Sequence, residues 1–230
     1  MIDREDLGLL KNILSLHNDN VDFEFLYKVL TVTKDYPTEQ ETLFDSFSNN
    51  QFNAKLALVD SIKKLNILTK ESKIVIFGSW YGSILIPAFY KDVKKIILVD
   101  MDSKVIDIAK NRLFNHLTNI EYFVSDIFEE FKDQYLDTDL FINTSCEHML
   151  PMKEWGPWPK YANPWWGRVS PSHFAFQSND MFDIPTHINC VHTIEQFKSQ
   201  LPSNASVLHE EEIDDTRGVR FTLIGKLCEE

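Results

Sequence analysis

The sequence predicts an α/β protein: a doubly wound, mostly parallel sheet with helices on both faces, an antiparallel C-terminal hairpin and a helical N-terminal extension. Three observations predict it. Lys73–Phe77 is a short apolar run rich in β-branched residues, the pattern of a buried strand. It breaks at Gly78-Ser79-Trp80-Tyr81-Gly82, and an apolar stretch at helical spacing, Ser83 to Tyr90, follows. A second buried-strand run, Ile96 to Val99, then ends on Asp100. Strand, glycine turn, helix, strand and acid make up the first half of a nucleotide-binding α/β sheet, and the turn-to-acid spacing fits the roughly twenty residues such sheets use.

Each part of that unit has a chemical reason. Glycines let backbone N–H groups approach a ligand at a helix N-terminus. An acid just after the second strand stands where it can accept hydrogen bonds from both hydroxyls of a ribose. The later strands repeat the layout. Ile120–Val124 runs into Ser125-Asp126, Leu140–Ile142 into Asn143, and Ser172–Gln177 into Ser178-Asn179-Asp180. Ligands of open α/β sheets bind beyond the carboxyl ends of the strands, so these polar residues share one edge. Ser206–Glu212 and Arg217–Leu227 read as the closing hairpin.

The connecting helices are read from period. Residues 1–70 are expected to form a helical extension or lid, and residues 71–230 the ligand-binding domain. Leu7, Leu10, Ile13, Leu14 and Leu16 form a first apolar face, Val21–Val32 a second, and Leu56, Val59, Ile62 and Leu65 a third over Asn53–Leu65. Thr38 is placed to cap a segment starting at Glu39. Lys104–Leu117 reads as the helix after the second strand and Phe128–Tyr135 as a shorter one. Thr193 with Gln196 three residues later forms a capping box for Thr193–Leu201.

Composition narrows the function. At 230 residues the chain can bury one sizeable core, and its 43% hydrophobic and 25% charged content is that of a soluble globular protein. No apolar run reaches bilayer-spanning length, and the acidic start, MIDREDLGLL, lacks a signal-peptide layout, so a cytoplasmic location without membrane contact is expected. A net charge of −12 argues against extended contact with nucleic-acid phosphates, and Lys91, Lys94 and Lys95 read as a solvated turn. Cys146, Cys190 and Cys228 are too few and scattered for a disulfide framework, and neither Cys146 nor Cys190 has a positive neighbour to activate it.

The glycine turn lacks the close-approach glycine of a dinucleotide fingerprint and carries an indole in its place, which suits a ligand without phosphates. The order Gly78-Ser79-Trp80-Tyr81-Gly82, Asp100-Met101-Asp102, Asp126-Ile127 and Asn143-Thr144-Ser145 resembles the Rossmann-like core of the class I S-adenosylmethionine-dependent methyltransferases, over roughly residues 70 to 150. The resemblance implies that S-adenosylmethionine is the cofactor. Gly78 to Gly82 would hold its methionine part, Asp100, with Met101 and Asp102 beside it, its ribose, and Asp126 with Ile127 its adenine. Asn143 would stand beside the cofactor and the reacting groups. The chain departs from the family at the end of its first strand, where Ile76-Phe77-Gly78 replaces an acid that helps fix the amino-acid tail.

Asn143-Thr144-Ser145-Cys146-Glu147-His148 matches the Asn-or-Asp-Pro-Pro-aromatic motif of amino methyltransferases at Asn143 only. Asn143 can still orient an amine or hydroxyl, and Glu147 or His148 can accept a proton, so these three are the candidate catalytic residues. The alternative is that Asn143 closes the strand and Glu147-His148 begin a solvated helix. Trp155, Trp158, Trp165 and Trp166 fall in a Pro-rich segment, Pro151–Gly167. Their rings suit a cationic or planar group, which makes Trp155, Trp165 and Trp166 candidate substrate contacts together with Gln177, Ser178 and Asn179. A dimer contact would explain the aromatics as well, so an oligomer is left open. His148, His187 and His192 with Cys146 and Cys190 lack the tight spacing of a zinc site, and no metal is expected.

The expected activity is methyl transfer from S-adenosylmethionine to a small molecule or another acceptor that needs no basic surface. The altered end of strand one admits an alternative: attack on another carbon of the sulfonium, by cyclisation or aminocarboxypropyl transfer, releasing methylthioadenosine. A non-catalytic cofactor-binding module is the third reading.

Overall fold

The computed structural model describes residues 11–13, 23–128, 135, 137–154 and 172–227. Among them, helices α1 (Phe23–Asp35), α2 (Gln40–Asp45) and α3 (Asn49–Leu65) precede the sheet. Strands β1 (Lys73–Phe77), β2 (Lys95–Asp100), β3 (Ile120–Val124), β4 (Leu140–Asn143), β5 (His173–Asn179), β6 (Ala205–Asp215) and β7 (Gly218–Leu227) form one sheet in the order β3-β2-β1-β4-β5-β7-β6. The first five run parallel, and β7 inserts antiparallel between β5 and β6. This is the mostly parallel sheet with an antiparallel hairpin that the sequence predicts.

Both faces of the sheet are covered, which is why its central strands are apolar on alternate and intervening residues alike. On one face Ile74, Ile76, Ile96, Leu98, Ile142, Ala175 and Ile224 pack with Phe25, Val29, Phe47, Leu58 and Ile62 from α1 to α3. The N-terminal helices are therefore continuous with the core of this face. On the other face Val75, Phe77, Val99, Phe141, Phe176 and Leu223 pack with Tyr135 and with Phe197 of a short helix, α6 (Ile194–Lys198). The outer strand β6 carries Glu210, Glu211, Glu212, Asp214 and Asp215, charges that discourage edge-to-edge pairing with another chain. Among the described residues no helix is long and apolar enough to cross a membrane.

Several boundaries differ from the sequence reading. α3 begins at Asn49, because Ser48 accepts from the Gln51 N–H at 3.5 Å as its N-cap, and it ends at Asn66 in the left-handed region. Thr38 does not cap: residues 37–39 form a single 3-10 turn, and the Thr38 hydroxyl bonds the Glu39 carboxylate at 3.2 Å. The helix after the glycine turn, α4, is only Leu85–Phe89, with Pro87 in its first turn, where a missing N–H is tolerated. The helix after β2 splits into α5 (Ser103–Ile108) and a π-turn, Ala109–Leu113, closed by the Phe114 N–H on the Ala109 carbonyl at 2.9 Å. That wider turn brings both Leu113 and Phe114 into the core, where Phe114 stacks on Phe25 with ring centroids 5.5 Å apart. The capping box at α6 is shifted by one residue: Thr193 accepts from Gln196 N, while the Gln196 side chain reaches back to the His192 N–H at 2.8 Å.

β5 does not end at Gln177, where the sequence predicts. Ser178 and Asn179 continue the strand because β7 extends beside them, pairing Ser178 with Phe221 and Asn179 with Arg220. The predicted helix Phe128–Tyr135 lies mostly outside the described residues, as do Trp155, Trp158, Trp165, Trp166 and Cys228.

Candidate functional site

The carboxyl end of β1 turns sharply. Gly78 (φ +54°), Trp80 (φ +49°) and Gly82 (φ +66°) all occupy the left-handed region, which glycine enters freely and tryptophan does not. A side chain at Gly78 would meet the Met149 methyl at 2.7 Å, and one at Gly82 would strike Ile86 and Leu98. The strained Trp80 is held from outside the turn. Its N–H donates to Asp100 Oδ2 at 2.8 Å, and the neighbouring Ser79 N–H donates to the Val99 carbonyl at 3.1 Å. Asp100 Oδ1 accepts from the Asp102 N–H at 3.0 Å. One carboxylate thus clamps the glycine turn to the end of β2. Burial raises the Asp100 pKa, an effect that the bonds from Asp102 and Trp80 oppose. A carboxylate offers about four lone-pair directions, so the backbone N–H groups of Trp80, Met101 and Asp102 do not use all of them.

The other residues predicted to hold the cofactor divide by environment. Met101 is exposed on the rim, 73% accessible. Asp102 is the N-cap of α5, with Oδ1 accepting from Lys104 N and Val105 N. Tyr81 is fully buried and turns away into the helical layer. Its hydroxyl lies 3.0 Å from Thr42 Oγ1 and donates to Glu39 at 3.4 Å, and burial pushes its pKa up to about 12. Asp126 Oδ1 accepts from the Phe128 N–H at 2.8 Å, while Ile127 is buried in the second core face.

Asn143 ends β4 beside Phe77 of β1 and Phe176 of β5. It is fully buried and engaged within its own loop: Oδ1 accepts from the Ser145 N–H at 2.7 Å, and Nδ2 donates to the Met149 thioether at 2.8 Å. Ser145 and Met149 are in turn the side chains nearest Gly78. In this arrangement Asn143 shapes the loop that lies against the glycine turn. Glu147 does not begin a solvated helix. It is 4% exposed, in a single 3-10 turn, Cys146–His148. His148 is exposed and faces Thr186 and His187.

A buried polar chamber lies between α3 and the ends of β5 and β7. Arg220, 3% exposed, holds Glu147 Oε1 at 4.0 Å through Nη1 and Asp215 Oδ2 at 3.6 Å through Nε. Gln177 Nε2 donates to the Ala54 carbonyl of α3 and to Thr222 Oγ1, both at 2.9 Å. Asn179 Oδ1 accepts from the Met181 N–H at 2.9 Å. Among the described residues, five buried atoms of this group have no hydrogen-bond partner: Glu147 Oε2, Gln177 Oε1, Asn179 Nδ2, Asp215 Oδ2 and Arg220 Nε. Ser178 Oγ is likewise buried and unpartnered, but alternation points it to the opposite sheet face. Burial raises the Glu147 pKa, and Arg220 opposes that rise.

Lys55 of α3 completes the chamber. Its ammonium bonds Gln51 Oε1 at 2.7 Å and stands 5.7 Å from the centre of the Trp80 ring. Enclosure of the ammonium, and then the Arg220 charge, pull its pKa down to about 7, against Glu147 and Asp45. The folded state therefore binds fewer protons here than the unfolded chain at neutral pH and above, and stability should rise with pH. We expect the rise between about pH 7 and 8.5, below the range where the buried Cys146 thiol, pushed well up by burial, acts in the opposite sense. Urea titrations across that window should show the slope in the native protein and a flatter one in Lys55→Met.

Lys55, Arg220 and Asp215 are the site-forming residues that the sequence reading passes over. Lys55 carries a signal, since it falls on the stripe with Leu58, Val59 and Ile62 where an apolar residue is expected. So does Arg220, a charge inside a buried strand. Their partners lie far away in sequence, and period alone cannot supply them.

No protein-family model matches this chain, and no curated protein matches it in sequence. Solved structures do. The N-methyltransferase NodS from Bradyrhizobium japonicum is similar over 79% of this chain and 99% of its own, at 15% identity and a TM-score of 0.60. Its complex with S-adenosyl-L-homocysteine is similar over 96% and 100%, at 14% identity and a TM-score of 0.57. TrmK from M. capricolum, also solved with S-adenosyl-homocysteine, is similar over 74% and 68%, at 14% and 0.51. A SAM-dependent methyltransferase from Aquifex aeolicus is similar over 74% and 89%, at 15% and 0.53. The chain has the Rossmann-like fold of the class I S-adenosylmethionine-dependent methyltransferases. At these identities the likeness is one of fold.

Proposed function

We propose that this protein binds S-adenosylmethionine and transfers its methyl group to a small molecule or another acceptor that needs no extended basic surface. The observation that carries the reading is the Asp100 clamp. One carboxylate fixes the left-handed Trp80 turn at β1 and still offers lone pairs at the end of β2. The lone-pair capacity left on Asp100 suits the ribose hydroxyls, the glycine turn from Gly78 to Gly82 suits the methionine part, and the second oxygen of Asp126 suits the adenine amino group. Solved relatives of fold carry S-adenosyl-homocysteine, which supports the choice of cofactor.

The polar chamber is the proposed acceptor site. A buried polar atom without a partner costs roughly 1–3 kcal/mol, and an acceptor bearing both donors and acceptors would relieve that cost at Glu147, Gln177, Asn179 and Arg220. In transfer, the acceptor nucleophile forms a bond to the methyl carbon as the carbon–sulfur bond breaks, leaving the thioether. Neutral Lys55 takes the proton that the nucleophile loses; a pKa of about 7 fits that task. The N-terminal helices act as the wall that encloses the reacting groups, and Trp155, Trp165 and Trp166 as further acceptor contacts.

The experiment is chromatography of nucleoside products after incubating the protein with S-adenosylmethionine and fractionated cell metabolites. S-adenosylhomocysteine accumulating with one fraction supports methyl transfer and identifies where the acceptor lies. Methylthioadenosine would replace this reading with attack on another carbon of the sulfonium.

A further inference from the structure

The chain after β5 folds back over the turn after β4. The Ile188 and Asn189 N–H groups both donate to the Glu147 carbonyl, each at 2.9 Å. This fastening carries His187 to the side of His148, their rings edge to face with centroids 4.6 Å apart. Glu147, His148 and His187 each offer a ligand atom, and these atoms lie within 4.8 Å of one another.

We propose that Glu147, His148 and His187 form a binding site for a late first-row divalent cation of the zinc type. Two imidazoles and one carboxylate are the donor set of zinc sites that keep an open position, and imidazole selects such ions over magnesium or calcium. Two features beyond proximity point to a ligand. Glu147 is 4% exposed and its Oε2 has no hydrogen-bond partner among the described residues, although Arg220 faces the other oxygen. The Arg220 charge is shared with Asp215, so guanidinium and ion would occupy opposite oxygens of Glu147. His148 Nδ1 lies 3.0 Å from the Thr186 carbonyl, an atom that can only accept. The proton of a neutral ring therefore sits on Nδ1, and Nε2 presents its lone pair, the arrangement by which an outer partner orients a metal-binding histidine.

Tetrahedral zinc at about 2.0–2.1 Å from each nitrogen sets donor atoms about 3.4 Å apart. Donor atoms at the 4.8 Å limit must close by about 1.4 Å to reach that spacing, which rotation of the exposed His148 can supply. Three protein ligands leave a coordination position for water or an oxygen of the acceptor. The same loop lies against Gly78, so the ion would stand at the acceptor end of the sheet.

The test uses the full-length, tag-free protein after dialysis against a chelator. It is titrated with Co2+, followed by visible absorption, then back-titrated with Zn2+, and metal content is measured by mass spectrometry. The proposal expects one ion per chain and a Kd below roughly 10 μM. His148→Ala and His187→Ala should each weaken Co2+ binding by at least about tenfold, and His192→Ala, outside the cluster, should leave it unchanged. His148 is exposed, so its variant reads out binding even if His187→Ala unfolds. Far less than one ion per chain, or equal affinity in native protein and His148→Ala, would overturn the proposal. Metal binding is read without S-adenosylmethionine, so either outcome is separable from the assignment of the cofactor.

Discussion

Asp100→Ala should lower the affinity for S-adenosylmethionine by roughly 100-fold or more. Hydrogen bonds to a charged acceptor contribute about 1.5–3 kcal/mol each, and the proposed ribose contacts use two. The loss reaches further, because the same carboxylate holds the Trp80 and Asp102 N–H groups at 2.8 and 3.0 Å. Without it the left-handed Trp80 loses its outside restraint and the cradle for the methionine part loosens. Asp100→Asn separates the two roles. The amide oxygen can keep the Trp80 bond and hold the turn, but it lacks the charge and the second acceptor, so affinity should fall by roughly tenfold. Calorimetry on both variants, with a urea titration to establish folding, checks the order. Equal affinity in native protein and Asp100→Ala would remove Asp100 from the cofactor site.

Arg220→Met should destabilise the fold by roughly 3–5 kcal/mol, the cost of leaving buried charge without its partner. Arg220 is the cation facing both Glu147 and Asp215, and all three side chains are at least 95% buried. The variant should regain stability as pH falls toward 4.5, since burial already raises the Glu147 pKa and protonation removes the stranded charge. Glu147→Gln combined with Arg220→Met should recover part of the loss at neutral pH, because the pair is removed together. Urea unfolding of the single and double variants at neutral and acid pH measures this. A single-variant loss below about 1 kcal/mol would mean that the chamber is wetter and more open than its burial indicates.

How much of this was legible in the sequence depends on the distance over which each feature is decided. The order of strands, the glycine turn and Asp100 follow from local pattern: apolar runs, breakers, and an acid one strand later. The end of β5 was not legible. Ser178 and Asn179 look like a polar loop, and they remain strand because Phe221 and Arg220 pair with them from β7. The same long-range pairing turns Glu147 from a solvated helix start into a buried anion facing Arg220. The π-turn at Ala109–Leu113 escaped because helical period is nearly preserved through it, and only the packing of Phe114 on Phe25 shows why the wider turn forms. Lys55 breaks the apolar stripe of α3, a visible anomaly whose meaning needs the Trp80 ring and the Arg220 charge beside it. For the meeting of His148 with His187, the deciding bonds are backbone ones from Ile188 and Asn189, which carry no sequence signature.

The central claim is that the glycine turn and Asp100 hold S-adenosylmethionine. Isothermal calorimetry of the native protein with S-adenosylmethionine, repeated with S-adenosylhomocysteine as competitor, tests it most directly. The account predicts one site per chain, competition between the two nucleosides and loss of the heat in Asp100→Ala. Folded protein that shows neither binding heat nor a thermal shift with either nucleoside would contradict it.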